Sequence, residues 1–417
     1  MPLGNRRRVA SPAFVLIALA ASFGVLTLAL GSAASATAVG RPNLVKGSDY
    51  LVSPANLIGG HYYESFPHVA DYGLTMDGAL ALAATGDQDR ALRKIVTFIE
   101  TDSKDQSGKT VDDWTGIGRS YASGGAIGKE ALLAEVVGDN PRSFGGHNLI
   151  AALDASVCVR ASTGSNTSCP AAGSYLNATS VFDQSLGIIA QLRAGQAAKA
   201  TPAIGYLETL QNSDGSFDSL IPSGGGSDGG GPDVDSTAMA AMALALAPGK
   251  AAAADVTSGL TWIASQQDKN GGFPGVGGDS VNSAGLAIQA LSLQRTHYSS
   301  RIDAALAFLR REQNSNGGFN ADATGQQGSN LRASTQAVGG AVGTSFGTLR
   351  RDLRGRVAGP GGASARGTAR TELVIGLAVA SFAVVAAVAG LALLTRRRRA
   401  AGRRTGKHTA APPRVRS

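Results

Sequence analysis

The chain has 417 residues, a formal net charge of +8 and a pI near 9.6. Such a basic balance would ordinarily suggest a nucleic-acid partner. The charge is unevenly distributed, however, because residues 39–340 contain 20 Lys and Arg against 28 Asp and Glu. The basic excess flanks two hydrophobic segments near the chain ends, so we expect no nucleic-acid partner.

The first 38 residues have the pattern of a signal peptide. Three arginines at 6–8 precede an apolar stretch at 13–30, and small residues at 34–38 offer two cleavage sites, after Ala36 or after Ala38. Because the apolar stretch is long, an uncleaved N-terminal anchor is the alternative. The sequence therefore predicts export.

A second hydrophobic segment, residues 372–395, lies near the C-terminus. Residues 373–394 carry no charge, which is long enough for a helix that spans a bilayer, and four arginines follow at 396–399. The positive-inside rule places these arginines in the cytoplasm. We therefore expect a single-pass protein of the cell membrane, with its N-terminal bulk outside and a basic cytoplasmic tail at 396–417.

Between these segments the chain predicts an N-terminal arm at 39–72, a helical domain at 73–343 and a flexible linker at 344–371. Within the domain, apolar runs recur in pairs. The predicted pairs are 75–84 with 89–100, 125–137 with 144–157, 183–192 with 202–210, 236–247 with 254–265 and 283–293 with 300–311, and part of a sixth at 332–342. Pro202 stands near a first helical position, where proline is tolerated.

The two members of each pair differ in character. The first, for example 236–246, is small and apolar on all sides, whereas the second, for example 301–311, carries one apolar stripe. A helix that is apolar all round is buried, and a striped helix lies at the surface. This alternation predicts an all-α fold, an α/α toroid of about six pairs with inner and outer rings. An open solenoid is the competing arrangement. The arm can complete the last pair, which favours the closed ring.

One seven-residue sequence motif, called the phrase below, follows three of the outer helices. It reads QNSDGSF at 211–217, QDKNGGF at 267–273 and QNSNGGF at 313–319. We expect the polar residue and the glycine to take left-handed backbone angles that end the helix, and the phenylalanine to pack beneath the turn. Calcium binding by Asp214, Asp218 and Asp228 is disfavoured, because a regular spacing of oxygen ligands and a closing Glu are missing.

The two cysteines, Cys158 and Cys169, lie in the segment predicted to be outside the cell. An even number of cysteines in an exported chain favours a disulfide. Zinc is not expected, since both cysteines are committed to this bond and His61, His68, His147 and His297 show no ligand spacing. The sequence predicts no metal and no cofactor.

The phrase resembles the glutamine-containing repeats of squalene-hopene cyclases and protein prenyltransferase β-subunits, which share an α/α toroid. The barrel of the transcobalamin and intrinsic-factor family is similar. The resemblance covers about residues 73–343. It implies the fold, and it implies a cyclase or prenyltransferase activity only as an alternative. Cobalamin carriers have a second β-domain that this chain lacks.

The strongest local match to terpene cyclases is PDVDSTA at 232–238. Class II cyclases carry Asp-x-Asp-Asp-Thr-Ala, whose middle aspartate protonates the polyprene, and the resemblance carries that role onto Asp233 and Asp235, with Ser236 in place of the last aspartate. The structural alternative is helix capping. Asp183, Asp235 and Asn282 recur at intervals of 52 and 47 residues before inner helices, which predicts N-caps. Asp233 has no such counterpart.

The inner helices should point their N-termini at one opening of the ring, with Asp77 and Asp183 on its rim. Aromatic residues are only 5% of the chain, which is few for a cavity that stabilises carbocations. We therefore expect a cell-surface protein that binds a small ligand or an envelope component without catalysis. A degenerate enzyme acting on an isoprenoid, or a structural role in the envelope, are the alternatives.

Overall fold

The computed structural model describes residues 40–354 except 165–166, 223–229, 276–277 and 326. The predicted signal peptide, membrane span and basic tail lie outside these residues. Within the described part, no helix combines the length and the apolar character needed to cross a bilayer.

The described residues form thirteen α-helices and six very short strands. The helices are α1 (Leu44–Leu51), α2 (Tyr72–Thr85), α3 (Asp89–Glu100), α4 (Val111–Thr115), α5 (Gly124–Val137), α6 (Leu149–Ser156), α7 (Val181–Arg193), α8 (Ala197–Thr209), α9 (Val234–Leu244), α10 (Lys250–Ser265), α11 (Val281–Leu291), α12 (Ser299–Glu312) and α13 (Leu331–Val342). The strands pair as antiparallel hairpins, β1 (Glu64–Phe66) with β2 (Val69–Ala70), β3 (Ser162–Thr163) with β4 (Ser168–Cys169), and β5 (Pro274–Gly275) with β6 (Gly278–Asp279).

Six helices form a closed inner ring: α2, α5, α7, α9, α11 and α13. Each packs on the next, and α13 packs on α2. Small residues set this close packing, because a Cβ on Gly128 would lie 2.7 Å from the backbone N of Gly187, and one on Gly340 would lie 2.3 Å from the carbonyl O of Gly285. Helices without bulky side chains at a contact can approach this closely. The predicted closed ring is confirmed, and the solenoid alternative is wrong.

The outer helices are α3, α6, α8, α10, α12 and α1. Helix α3 shows the expected single stripe, with Leu92, Ile95, Val96, Phe98 and Ile99 buried. Pro202 does not start its helix as predicted, since α8 begins at Ala197 and Pro202 lies inside it. Helix α1 comes from the N-terminal arm and packs on α13 and α2. The arm therefore completes the sixth pair.

The repeated phrase joins each outer helix to its neighbours. The Nε2 amides of Gln211 and Gln267 donate to the carbonyls of Asp255 in α10 and Arg301 in α12, at 2.9 and 2.8 Å. Gln313 donates in the same way to the carbonyl of Asn43, the N-cap of α1, at 2.9 Å. The third copy of the phrase therefore bonds to the start of α1 in the same way as the first two copies bond to α10 and α12. Helix α1 thus completes the outer ring.

The phrase also forms a tight turn. Gly215, Gly271 and Gly317 have φ of +93°, +85° and +93°, and the phenylalanines at 217, 273 and 319 are fully buried. The polar residue before each glycine differs from the prediction, because it is not left-handed. Instead, its side chain accepts the backbone N–H two residues later, as Asp214 Oδ1 does from Ser216 at 3.0 Å. Asx turns of this type stabilise the chain reversal.

All six inner helices begin at one opening of the ring, which we call the N-terminal mouth, and end at the other, the C-terminal mouth. Residues 344–354 lie across the C-terminal mouth, with Phe346, Leu349 and Leu353 buried. Arg193 donates to the carbonyl oxygens of Phe346, Gly347 and Leu349 at 2.9–3.0 Å. These residues were predicted to belong to a flexible linker. The prediction is wrong for 344–354, because this segment packs on the inner ring.

Candidate functional site

The six inner helices begin in the same way at the N-terminal mouth. In each, the N-cap side chain accepts the backbone N–H three residues later, which stabilises a helix start by about 1 kcal/mol. The caps are Asp71, Ser123, Ser180, Asp233, Ser280 and Asn330. The capping prediction for Asp183, Asp235 and Asn282 is wrong, since all three lie inside the first turn. Asp233 is the cap of α9, and it does have counterparts in the neighbouring repeats.

Asp235 is left without a capping role. Its Oδ2 accepts a hydrogen bond from Asn282 Nδ2 at 3.1 Å, which links the first turns of α9 and α11. Its Oδ1 is covered by protein and has no hydrogen-bond partner among the described residues, and neither has Oδ1 of Asn282. Burial, with the charge of Asp233 as the second cause, raises the pKa of the Asp235 carboxyl to about 6. An unpaired buried acceptor costs free energy, so a donor that reached this oxygen would stabilise the folded protein.

A cavity of ≈ 580 Å³ opens beside these side chains at the mouth. Its wall comes from three sources: the first turns of α9 and α11, the outer helix α10, and the β5–β6 hairpin with the segment before α9. The polar and aromatic residues that line it are Ser219, Asp233, Asp235, Trp262, Gln266, Ser280, Asn282 and Ser283. None of the described lining residues is a lysine or an arginine. The cavity therefore offers carboxylates, amides and hydroxyls around one aromatic ring.

Asp77 and Asp183, the other predicted rim residues, lie elsewhere. Asp77 is buried below the rim, where Lys129 Nζ contacts its Oδ1 at 2.8 Å. Asp183 lines a second cavity of ≈ 220 Å³ with Trp114, Lys129 and Phe182. The structure therefore groups the four aspartates as one pair around α9 and two separate residues, and it does not bring them into a single site.

Three residues of the larger cavity were not predicted to be functional. Asn282 was noted for its spacing from Asp235 but was interpreted as a cap. Trp262 lies in the last turn of the outer helix α10, and Gln266 is the C-cap of that helix. A sequence signal existed only for Asn282, whose 47-residue interval from Asp235 matches the repeat. The position of α10 against the mouth depends on the turn that follows it.

The predicted disulfide is confirmed, with a Cα–Cα distance of 5.7 Å between Cys158 and Cys169. In the described part of the chain, no group of three His, Cys, Asp or Glu side chains is arranged to hold a metal ion. In the first copy of the phrase, Asn212 Nδ2 donates to Asp218 Oδ1 at 2.9 Å, so an amide stands where a cation would have to bind. Asp228, the third candidate calcium ligand, lies outside the described residues.

Comparison with known proteins supports the fold. The type II terpene cyclase MstE from Scytonema, in a variant bound to geranylgeranyl dihydroxybenzoate as substrate, is similar at a TM-score of 0.51 and 15% identity, over 73% of this chain and 97% of that one. Another variant with the product merosterolic acid A gives a TM-score of 0.51 and 16% identity, over 72% and 95% of the chains. A glycosidase variant in complex with glucose reaches a TM-score of 0.49 at 12% identity, over 74% and 98% of the chains.

A search of curated proteins gave no sequence match. The family model for the prenyltransferase α/α toroid domain matches residues 151–339, which include inner helices α7, α9, α11 and most of α13. At these low identities the terpene cyclase structures show the fold and no particular activity. The closed double ring shows that this chain has an α/α toroid fold, and residues 151–339 are similar to the prenyltransferase α/α toroid domain.

Proposed function

We propose that the toroid binds a small ligand in the cavity at the N-terminal mouth, beside Asp235, without catalysing a reaction on an isoprenoid. The observation that carries the proposal is the unpaired Oδ1 of Asp235 at a cavity of ≈ 580 Å³. Pockets of about 300–1,000 Å³ with a few converging polar groups are typical of small-molecule sites.

The same carboxyl is poorly suited to protonate an alkene. In the cyclase motif the acid is surrounded by further carboxylates, whereas Asp235 bonds to the amide of Asn282 at 3.1 Å. The neighbouring carboxylate of Asp233 accepts the backbone N–H of Ser236 at 2.7 Å as the helix cap. Ser236 stands where the cyclase motif has its last aspartate, so the crowding of carboxylates in that motif is reduced here.

A prenyl diphosphate is also a poor match to the cavity. Its phosphates would meet the carboxylates of Asp233 and Asp235, and the described lining residues provide no cationic side chain to neutralise them. Phosphate sites in proteins ordinarily use Arg, Lys or free backbone N–H groups. Of the first backbone N–H groups of α9, that of Ser236 is already bonded to the cap, Asp233. The charge of the cavity therefore favours ligands that are not anionic.

The proposed location is the outer face of the cell membrane, with the toroid exported and anchored by the segment at 372–395. The predicted signal peptide and the positive residues at 396–399 support this topology. A disulfide between Cys158 and Cys169 also agrees with export, because such bonds persist in oxidising compartments.

Enzymatic assay separates binding from catalysis. The full chain in detergent micelles is incubated with squalene and, separately, with geranylgeranyl diphosphate, and products are analysed by gas chromatography coupled to mass spectrometry. We expect no cyclised or transferred product. Turnover that disappears in Asp235→Asn and persists in Asp303→Asn, a change of an exposed aspartate on α12, would show instead that the toroid is an enzyme.

A further inference from the structure

The wall of the mouth cavity contains two acceptor atoms without a hydrogen-bond partner of good geometry in the described residues, although the hydroxyl of Ser283 is close enough to the Asp235 carboxyl to oppose the rise in its pKa. They are Oδ1 of Asp235 and Oδ1 of Asn282. The other atoms of these groups, Asp235 Oδ2 and Asn282 Nδ2, bond to each other at 3.1 Å. This bond holds both side chains in place. Both side chains belong to the lining of the cavity, and a ligand that donated one hydrogen bond to each of them would pair both atoms.

The wall also contains donors. Gln266 has an amide, of which one N–H reaches Ser265 Oγ at 3.0 Å, and Ser219 and Ser283 contribute hydroxyls. A complementary ligand therefore both donates and accepts hydrogen bonds. Hydroxyl groups do both, whereas an ammonium group only donates and a phosphate at neutral pH mostly accepts.

The aromatic part of the wall is Trp262, which is 9% exposed. Its ring adds an apolar surface to a lining that is otherwise mostly polar, so a ligand needs an apolar face as well as hydroxyls. A pyranose or furanose ring has both, with C–H groups on its faces and hydroxyls around its edge. Flexible polyols lack the flat apolar face, and polyprenes lack the hydroxyls.

From these observations we infer that the ligand of the mouth cavity is a neutral saccharide, bound through its hydroxyls to Asp235 and Asn282 and packed against Trp262. This inference rests on the proposed binding function and names its ligand class. The cavity of ≈ 580 Å³ has room for a few sugar rings. The site thus fits glycans of a cell envelope or of the surroundings of the cell.

Tryptophan fluorescence tests this ligand class, because the chain has only two tryptophans and they line different cavities. Trp114→Phe leaves Trp262 as the reporter of the proposed site, and Trp262→Phe leaves Trp114 as a matched control. Both variants of the full chain in detergent are titrated with methyl glycosides of glucose, galactose, mannose and arabinose and with the corresponding trisaccharides.

We expect a saturable fluorescence change with at least one saccharide in Trp114→Phe and none in Trp262→Phe. Adding Asp235→Asn to Trp114→Phe should weaken the affinity at least tenfold, because the new amide cannot accept at both positions. Asp303→Asn in the same background should leave the affinity unchanged.

Two further probes separate the inference from the proposed function. Tetramethylammonium and inorganic pyrophosphate are titrated in the same way. A saturable, Asp235-dependent response to either probe, without any response to saccharides, would overturn the saccharide assignment and leave small-ligand binding standing. No saturable response to any probe would overturn both.

Discussion

The two mouths of the toroid are built from the same six helices, yet they differ in what covers them. At the C-terminal mouth, the connections between inner and outer helices are short, and residues 344–354 lie across the ends. At the N-terminal mouth, the connections are long. The shortest of them, residues 266–280, exceeds the longest inner-to-outer connection, residues 138–148. The longer connections at the N-terminal mouth contribute residues to the walls of the cavities there.

Exposed apolar side chains follow the same division. Six large apolar side chains of the described residues are exposed, and five of them lie in outer-to-inner connections: Phe66, Val69, Tyr121, Val159 and Leu220. The sixth, Val45, lies in the outer helix α1. Single exposed apolar residues are normal on a protein surface, so they mark here only where the chain is less closely covered. At the opposite mouth, Phe346 and Leu349 are buried. The C-terminal mouth is therefore covered by packed residues, whereas apolar side chains stay exposed in the connections at the N-terminal mouth.

The charged groups at the two mouths differ in their partners. At the C-terminal mouth, Arg193 and Glu135 form a buried pair at 3.0 Å, with side chains only 3% and 8% exposed, and the guanidinium also bonds three backbone carbonyls. Both Glu135 Oε1 and, at the N-terminal mouth, Asp235 Oδ1 lack a hydrogen-bond partner in the described residues. Asp235, however, lines a cavity whose described wall contains no lysine or arginine, whereas loss of either partner of the pair at the C-terminal mouth would leave a buried charge uncompensated.

The largest effect should come from breaking the paired mouth. Arg193→Ala leaves Glu135 buried without its partner and frees three carbonyl groups. We expect a loss of about 3–5 kcal/mol in the free energy of unfolding, measured by urea denaturation with circular dichroism. Arg354→Ala removes a pair in which the arginine is 61% exposed, and it should cost no more than about 1 kcal/mol. Equal losses in the two variants would contradict this account of the C-terminal mouth.

A second effect concerns Glu130, in the middle of α5 between the two mouths. Both of its carboxyl oxygens lack partners in the described residues, and the side chain is fully buried. Burial raises its pKa from 4.5 to about 8, and the charges of Asp112 and Asp102 act in the same direction. Asp112 Oδ2 in turn contacts His147 Nε2 at 2.7 Å.

Since the folded state keeps this proton while the unfolded state releases it, stability should fall as pH rises from 4.5 towards about 8, by at most about 1.4 kcal/mol per pH unit from this group. Glu130→Gln should remove this dependence and make the protein more stable than wild type at pH 8. Chemical denaturation at pH 5, 6.5 and 8 measures it. Parallel pH profiles for the two proteins would count against a buried neutral Glu130.

The smallest effect distinguishes the two aspartates at the open mouth. Asp233→Ala removes the cap of α9 and should cost about 1 kcal/mol. Asp235→Asn keeps the shape of the side chain, removes a carboxyl that is costly to ionise, and should leave stability unchanged or slightly raised at pH 7. Thermal unfolding of both variants measures the difference. The opposite order of stabilities would restore Asp235 as the cap.

The architecture was predictable from the sequence because its causes are local and repeated. Runs of small apolar residues require burial on all sides, so they predict an inner ring. The phrase at 211–217, 267–273 and 313–319 repeats because each outer helix ends in the same turn, with a left-handed glycine and a buried phenylalanine. The disulfide followed from an even number of cysteines in a chain predicted to be exported.

The cap assignments could not be fixed in the same way. Asp235 and Asn282 share a spacing, but spacing gives the period of the helices and leaves open where each one starts. The helices begin with Asp233 and Ser280 as caps, two residues earlier than predicted. That shift turns Asp235 from a cap into a side chain at the wall of a cavity.

The sequence by itself determined the number of helical pairs, the buried or exposed character of each helix and the turns that end the outer helices, because these depend on residues close together in the chain. Tertiary structure decided the rest. It brought Asp235, Asn282 and Trp262 to one cavity and placed residues 344–354 across the other mouth. Asp235 and Trp262, which line one cavity, are 27 positions apart in the chain, and Arg193 and Leu349, which share a hydrogen bond, are 156 apart, so neither arrangement has a local signature.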